Sequence, residues 1–297
     1  MRKGFRLVAL AMLWTTASAA WAEAPGGDLD AVRERGVLRH LGVRYANFVT
    51  GGGDGFDVDL MRRFAERIGV RYEFVETEWS TAFADLTGRK VTVSQPDPGR
   101  APAAPVRGDV LAAGVTVLPW RERSVAFSAP VFPTQVWVVA PAGSPVQPVR
   151  PGGSVQADIE ATKRLLKGRT VLGVPGTCLD PSLYELKSTR ATLRLLEKAR
   201  LDEVAPALIR GEGDLALLDV ADAMLALESW PGSIKVIGPV SPPQDMAVAF
   251  RQSAPRLREA FDAFLAQSRR DGTYRKLVQA YFPGAIARFP GFFGEPP

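Results

Sequence analysis

The residues of this chain best placed to do chemistry lie between Gly114 and Pro130, in the run Gly114-Val-Thr-Val-Leu-Pro-Trp-Arg121-Glu-Arg123-Ser-Val-Ala-Phe-Ser-Ala-Pro130. An apolar stretch, Val110 to Val117, reads as a buried strand that ends in small and hydroxyl residues, with Arg121 just past its end. A guanidinium at the mouth of a sheet, beside the Thr116 hydroxyl and free backbone groups, is a receptor for a carboxylate. Thr177 and Asp219 take similar positions, Thr177 in the Gly-rich turn Pro175-Gly176-Thr177-Cys178 that follows the strand Thr170 to Val174, and Asp219 immediately after the strand Asp214 to Leu218. The carboxyl ends of strands are where α/β sheets bind ligands. This pattern calls for a small anionic or zwitterionic ligand rather than a polymer or a lipid. Asp219 is also placed to cap a helix over Val220 to Leu227, a role compatible with ligand contact.

The elements that must position these residues alternate between short apolar strands and amphipathic helices, an α/β pattern. A capped helical turn spans Asp28 to Gly36, and a first strand spans Val37 to Val43. The glycine run Gly51-Gly52-Gly53-Asp54-Gly55 makes a turn before a helix starting at Asp57, in which Val58, Leu60, Met61, Phe64, Ala65 and Ile68 recur at helical spacing and Gly69 closes. A strand over Arg71 to Val75 and a short helix over Trp79 to Leu86 follow. The proline-rich segment Gly88 to Gly108 reads as a loop or hairpin insertion without a core of its own. After a strand at Gln135 to Ala140 and a surface connection to Gly153, the pattern restarts. It gives a helix over Asp158 to Leu166, a helix from about Pro181, a polar middle, a helix over Leu201 to Arg210, and strands at Ile234 to Ile237 and Met246 to Phe250. Helices over Ala254 to Arg270 and Thr273 to Tyr281 precede a tail, Phe282 to Pro297, that reads as irregular. Two similar halves imply two lobes with a cleft between them.

Bulk properties exclude several classes. Met1-Arg2-Lys3-Gly-Phe-Arg6, the apolar run Leu7 to Trp14 and Ala20-Trp21-Ala22 have the three parts of a secretory leader in order, with cleavage near Ala22. The chain holds 37 Lys+Arg against 32 Asp+Glu, and loss of Arg2, Lys3 and Arg6 leaves 34 against 32. The basicity is therefore largely that of the leader, and no basic run interleaved with aromatics argues for nucleic acid. A single cysteine, Cys178, forms no internal disulfide, and with a single histidine, His40, it makes a metal site improbable. No H-E-x-x-H, G-x-S-x-G or P-loop motif is present, so no catalytic residue and no cofactor are expected.

Four segments resemble the family 3 extracellular solute-binding proteins, the periplasmic amino-acid receptors of ABC importers. They are Gly55-Phe56-Asp57-Val58-Asp59-Leu60; Gly108-Asp109 through Thr116 with Arg121 and Phe127-Ser128; Lys167-Gly168 through Gly176-Thr177; and Ala247 to Phe250 with Asp271-Gly272-Thr273-Tyr274 and Tyr281-Phe282-Pro283. The resemblance implies a type II periplasmic-binding fold, two Rossmann-like α/β lobes joined by two hinge strands. The leader would be residues 1–22, the first lobe 23–133 plus 244–297, and the second 134–243. It further implies that Arg121, helped by Thr116 and Gly114, pairs with a ligand α-carboxylate, and that N–H groups of the Gly176-Thr177 turn, opening a helix, contact the same carboxylate. Asp219 would accept an α-ammonium, and Tyr45 and Trp79 would sandwich the ligand side chain. Arg121 and Asp219 together favour an amino acid over a plain carboxylate.

The resulting expectation is a monomeric periplasmic binding protein that closes its lobes on a small molecule and hands it to an ABC permease. Two alternatives stay open on the same scaffold: a cyclohexadienyl-dehydratase-like enzyme, and a stand-alone sensor or accessory module related to the first domain of murein transglycosylases. Tyr45 and Trp79 read equally well as core aromatics.

Overall fold

The structure, a computed structural model, describes residues 27–197 and 200–293. The leader and its cleavage site lie outside the described residues, as do the last four residues of the tail. Two sheets of five strands each organise the chain. The first has the order β2 (Arg71–Glu76), β1 (Val37–Gly42), β3 (Val110–Leu111), β12 (Ala249–Arg251) and β4 (Val125–Phe127). The second has the order β10 (Ile234–Pro239), β6 (Val136–Pro141), β9 (Leu215–Asp219), β7 (Thr170–Gly173) and β8 (Thr192–Leu195). Between them β5 (Phe132–Thr134) and β11 (Gln244–Met246) pair antiparallel, so the chain crosses from sheet to sheet twice, through adjacent strands. That is a hinge geometry: two sheets and a two-stranded connection.

Helices α1 (Leu29–Arg35), α2 (Phe56–Ile68), α3 (Ala82–Thr87) and α4 (Pro119–Glu122) belong with the first sheet, and α5 (Val155–Arg164), α6 (Val204–Ile209) and α7 (Val220–Ser229) with the second. The chain returns through α8 (Pro255–Arg270), α9 (Thr273–Tyr281), α10 (Ala285–Arg288) and α11 (Pro290–Phe293). Helix α2 buries Val58, Leu60, Met61, Phe64, Ala65 and Ile68, the face its spacing predicts. It starts at Gly55, whose φ of 136° and approach to Phe48 (an added Cβ would lie 2.3 Å from the Phe48 carbonyl oxygen) admit only glycine.

The strand predicted over Val110 to Val117 is corrected to the two residues of β3. Its extension is broken at Gly114, where φ is +59° and an added Cβ would lie 2.5 Å from the Phe48 ring. Thr116 rejoins the hinge pair through one bridge to Met246. The single strand predicted over Met246 to Phe250 is two, because Met246 ends the hinge strand β11 and Ala249 begins β12 of the first sheet. The helix expected from Pro181 is a pair of 3-10 turns, Pro181–Tyr184 and Leu186–Thr189, interrupted at Glu185 with φ +57°. The polar middle contains β8, an edge strand whose mostly exposed side chains hid its signal. The tail is ordered through Phe293: Phe282 and Phe293 are buried against the hinge residue Phe132, with ring centroids 4.7 and 5.5 Å away. The 88–108 insertion stays irregular, closed by a bridge between Arg89 and Ala103, with Val91 and Ala101 packed onto the first core.

Candidate functional site

Pro119 starts the single turn of α4 and sets Arg121 inward, where the side chain is only 1% exposed. One guanidinium nitrogen, Nη1, donates to the Thr116 carbonyl at 2.8 Å. The guanidinium carbon lies 5.0, 5.2 and 5.5 Å from the ring centres of Phe83, Trp120 and Trp79. Nε has no partner, and Arg121 makes no ion pair among the described residues. Burial pulls its pKa down to about 10, the mark of a cation held out of water without a counter-charge. The Thr116 hydroxyl beside it is likewise buried and unpartnered.

Asp219 ends β9 and caps α7, its Oδ1 accepting from the Asp222 N–H at 3.1 Å, so the strand-end and capping readings are both correct. It is fully buried. Its Oδ2 accepts from the Tyr45 hydroxyl, which comes from the first lobe, and faces the Cys178 thiol at 3.5 Å. Tyr45 stacks on Phe48 at 5.5 Å and meets Trp79 edge-on at 6.2 Å. Burial raises the Asp219 pKa, partly opposed by these hydrogen bonds, and raises Tyr45 and Cys178 well above their ordinary values.

Arg121, Thr116, Tyr45, Cys178 and Asp219 thus meet at the hinge-side floor of the cleft. Gly114 is placed differently from expectation. Its N–H donates to Asp57 Oδ2 at 2.6 Å, so its contribution is close approach to Tyr45 and Phe48 rather than a free donor. The Gly176-Thr177 turn opens no α-helix. The Gly176 N–H donates to Asp180 Oδ2 at 2.9 Å, and the Thr177 hydroxyl donates to the Val174 carbonyl at 2.9 Å and accepts from the Leu179 N–H at 3.0 Å. The N–H groups of Thr177 and Cys178 make no hydrogen bond among the described residues, which leaves two adjacent donors on the second lobe's side.

Above this floor a cavity of about 430 Å³ lies between the lobes. Trp79, Phe83 and Trp120, the three rings around the Arg121 guanidinium, wall it on one side, with Val91, Thr92 and Val93 of the insertion beside them. Val174 to Thr177 face them from the second lobe. Arg44, which lines the same space, pairs with Glu76 at 3.4 Å.

Sequence reasoning missed two members. Phe83 completes the aromatic enclosure of Arg121 from the helix after Trp79. Asp222 sits one helical turn after Asp219, buried, with Oδ2 lacking any partner. The D-x-x-D spacing in Asp219-Val-Ala-Asp222 was the available signal for it, since position N3 of a capped helix faces back toward the cap.

Two α/β lobes on a two-strand hinge, with a buried acid and a buried cation that makes no ion pair among the described residues, define a solute-binding protein of the type II periplasmic-binding fold. The chain belongs to the bacterial extracellular solute-binding proteins, family 3, whose family model matches residues 44–96 and 104–284. The unmatched stretch between these ranges is the tip of the 88–108 insertion.

Among curated proteins the chain is similar to the lysine/arginine/ornithine-binding periplasmic protein of Escherichia coli (strain K12), 24% identical over 235 residues that cover 77% of this chain and 78% of that one. It is also 24% identical over 292 residues to the membrane-bound lytic murein transglycosylase F of Desulfosudis oleivorans, covering 95% of this chain but 58% of the transglycosylase. Among solved structures, the ancestral amino acid-binding protein AncCDT-1, a precursor of cyclohexadienyl dehydratase, superimposes with a TM-score of 0.65 at 23% identity, over 86% of this chain and 98% of that one. No helix among the described residues is long and apolar enough to cross a membrane.

Proposed function

We propose that this protein captures an amino acid in the periplasm by closing its two lobes on it, and delivers it as a monomer to an ABC permease. The carrying observation is Arg121, a buried guanidinium without a counter-charge among the described residues, which has Tyr45 and Cys178 as neighbours in common with the buried acid Asp219. An isolated buried charge costs several kcal/mol, so such a residue is kept for a ligand that neutralises it. In this reading a ligand carboxylate meets Arg121, the Thr116 hydroxyl and the Thr177 and Cys178 N–H groups, and its ammonium displaces the Tyr45 hydroxyl from Asp219. Trp79 and Trp120 then wall the ligand's side chain in the 430 Å³ cavity. Residues 23–133 with 244–297 move as one lobe and 134–243 as the other, because both crossings fall in the β5–β11 pair. Closure is favoured because only the closed form offers both poles at once. The names of the periplasmic relatives support this reading.

A thermal-shift panel of L-amino acids tests it. A ligand at 100 times its Kd adds about 2.7 kcal/mol of stability. Arg121→Ala and Asp219→Ala should each abolish the shift; a shift retained in both places the site elsewhere.

The likeness to AncCDT-1, together with the buried carboxyls of Asp219 and Asp222, whose burial raises their pKa, favours one rival, dehydration on the same scaffold. Incubation with prephenate and arogenate decides it: product formation would make the protein an enzyme, and none is expected.

A further inference from the structure

The acid pole of the site contains more than Asp219. Asp222 lies on the first turn of α7, 6% exposed, and its backbone N–H donates to Asp219 Oδ1 at 3.1 Å. Its Oδ2 is buried with no hydrogen-bond partner. Among the described residues three acidic or neutral groups act on the pair. They are Tyr45 from the loop after β1, Cys178 from the turn after β7, and Asp202 ahead of α6. Asp202 is itself answered by Arg200 at 3.0 Å. Among the described residues Asp222 makes no ion pair, and Arg121 meets the cluster from the side of Cys178 and Tyr45.

Two acids one helical turn apart, both out of water, make each other harder to ionise, so the pair favours a single charge. Arg121, which has Tyr45 and Cys178 as neighbours in common with Asp219 and makes no ion pair among the described residues, is an independent sign that a ligand with a negative end enters here, and its positive end then faces this pair.

Resting on the amino-acid reading above, we infer that Asp222 is a second acidic residue of the binding site, which with Asp219 holds one shared proton when the site is empty and releases it to solvent when a ligand ammonium docks. The balance is simple. The singly protonated pair and an ammonium give the doubly ionised pair, the bound ammonium and one free proton, with no bond other than O–H broken. Burial, which raises both acids, provides the proton that is lost. Binding is therefore linked to pH: acidification restores the proton and weakens the ligand's hold. Asp222 would also favour a primary ammonium over bulkier N-substituted forms.

The test is isothermal titration calorimetry at pH 7 in PIPES, HEPES and Tris, using each of the twenty L-amino acids and L-ornithine in turn. The slope of binding enthalpy against buffer ionisation enthalpy counts protons. For the wild type, about one proton should leave per ligand bound. For Asp222→Asn, which keeps the N–H to Asp219 and the shape, binding should persist with the release reduced to near zero. Wild-type binding without proton release, or full release in Asp222→Asn, overturns the inference. Absence of heat with every amino acid instead brings down the amino-acid reading and this inference with it. Should Asp222→Asn lose its native circular dichroism, the wild-type Kd between pH 5.5 and 8.5 decides. It should weaken by about tenfold per pH unit on the acid side, and a flat Kd overturns the inference.

Discussion

Tyr45 and Asp219, from opposite lobes and 174 positions apart, are joined directly across the cleft by the Tyr45 hydroxyl donating to Asp219 Oδ2. The bond spans the surface that must part for a ligand to enter. A hydrogen bond to a charged acceptor is worth about 1.5–3 kcal/mol. Tyr45→Phe removes the hydroxyl and keeps the stack on Phe48. The ligand-free variant should shift roughly tenfold to a hundredfold toward the open form, read as a larger radius of gyration by small-angle X-ray scattering. An unchanged radius would mean that the bond does not hold the lobes together.

Arg121 carries a second prediction, because function and stability oppose each other there. The guanidinium is fully buried, makes one hydrogen bond and no ion pair among the described residues. Arg121→Met keeps the stem packed among Trp79, Phe83 and Trp120 but removes the charge. The empty protein should gain roughly 1–3 kcal/mol, and Tm should rise by about 2–4 °C for each kcal/mol. Amino acids should no longer shift it. A lower Tm would show that the charge is compensated in the empty protein.

His40 reports on the segment beneath the site. Its Nε2 lies 2.6 Å from the Ala112 carbonyl, and its Nδ1 lies 2.8 Å from the Tyr72 hydroxyl. A carbonyl only accepts, so Nε2 carries the proton and Nδ1 receives the Tyr72 hydroxyl. Burial lowers the pKa from 6.5 to about 4. The neutral ring therefore stabilises the fold fully above pH 6.5, and that contribution is lost as pH falls toward 4. As the sole histidine of the chain, it gives one set of ring resonances. These should show the Nε2–H tautomer and stay unshifted from pH 8 to pH 5; a midpoint near 6.5 would contradict the placement.

Much of this was legible in the sequence for identifiable reasons. Helix α2 and the strand-end placement of Thr177 and Asp219 follow from periodicity, and Arg121 from its spacing after the apolar run. What the sequence hid depends on three-dimensional neighbours. The Gly114 N–H looked free because Asp57, 57 positions earlier, could not be seen to accept it. β8 was masked because an edge strand buries too little for alternation to show. The tail read as irregular because its phenylalanines have a partner, Phe132, that only folding brings near. Asp222 was overlooked because a helical carboxylate ordinarily faces water, whereas here it is buried.

Asp57 links that hidden contact to pH. It lies in the first turn of α2, 1% exposed, accepting the Gly114 N–H through Oδ2 while Oδ1 has no partner. Burial raises its pKa from 3.8 to about 7, only partly opposed by the Gly114 bond. Unfolded, the same carboxyl releases its proton near pH 4, so between about pH 4 and pH 7 the native state binds more protons than the unfolded one. Stability from this group is therefore full at low pH and falls as pH rises through that window. Asp57→Asn keeps an acceptor for Gly114 and cannot ionise. The substitution should raise Tm at both pH values, and at pH 8 by about 4 °C or more beyond the gain at pH 5, measured by calorimetry on both proteins. Equal effects at the two pH values would mean that Asp57 stays charged throughout, and that the Gly114 bond alone outweighs the cost of burying it.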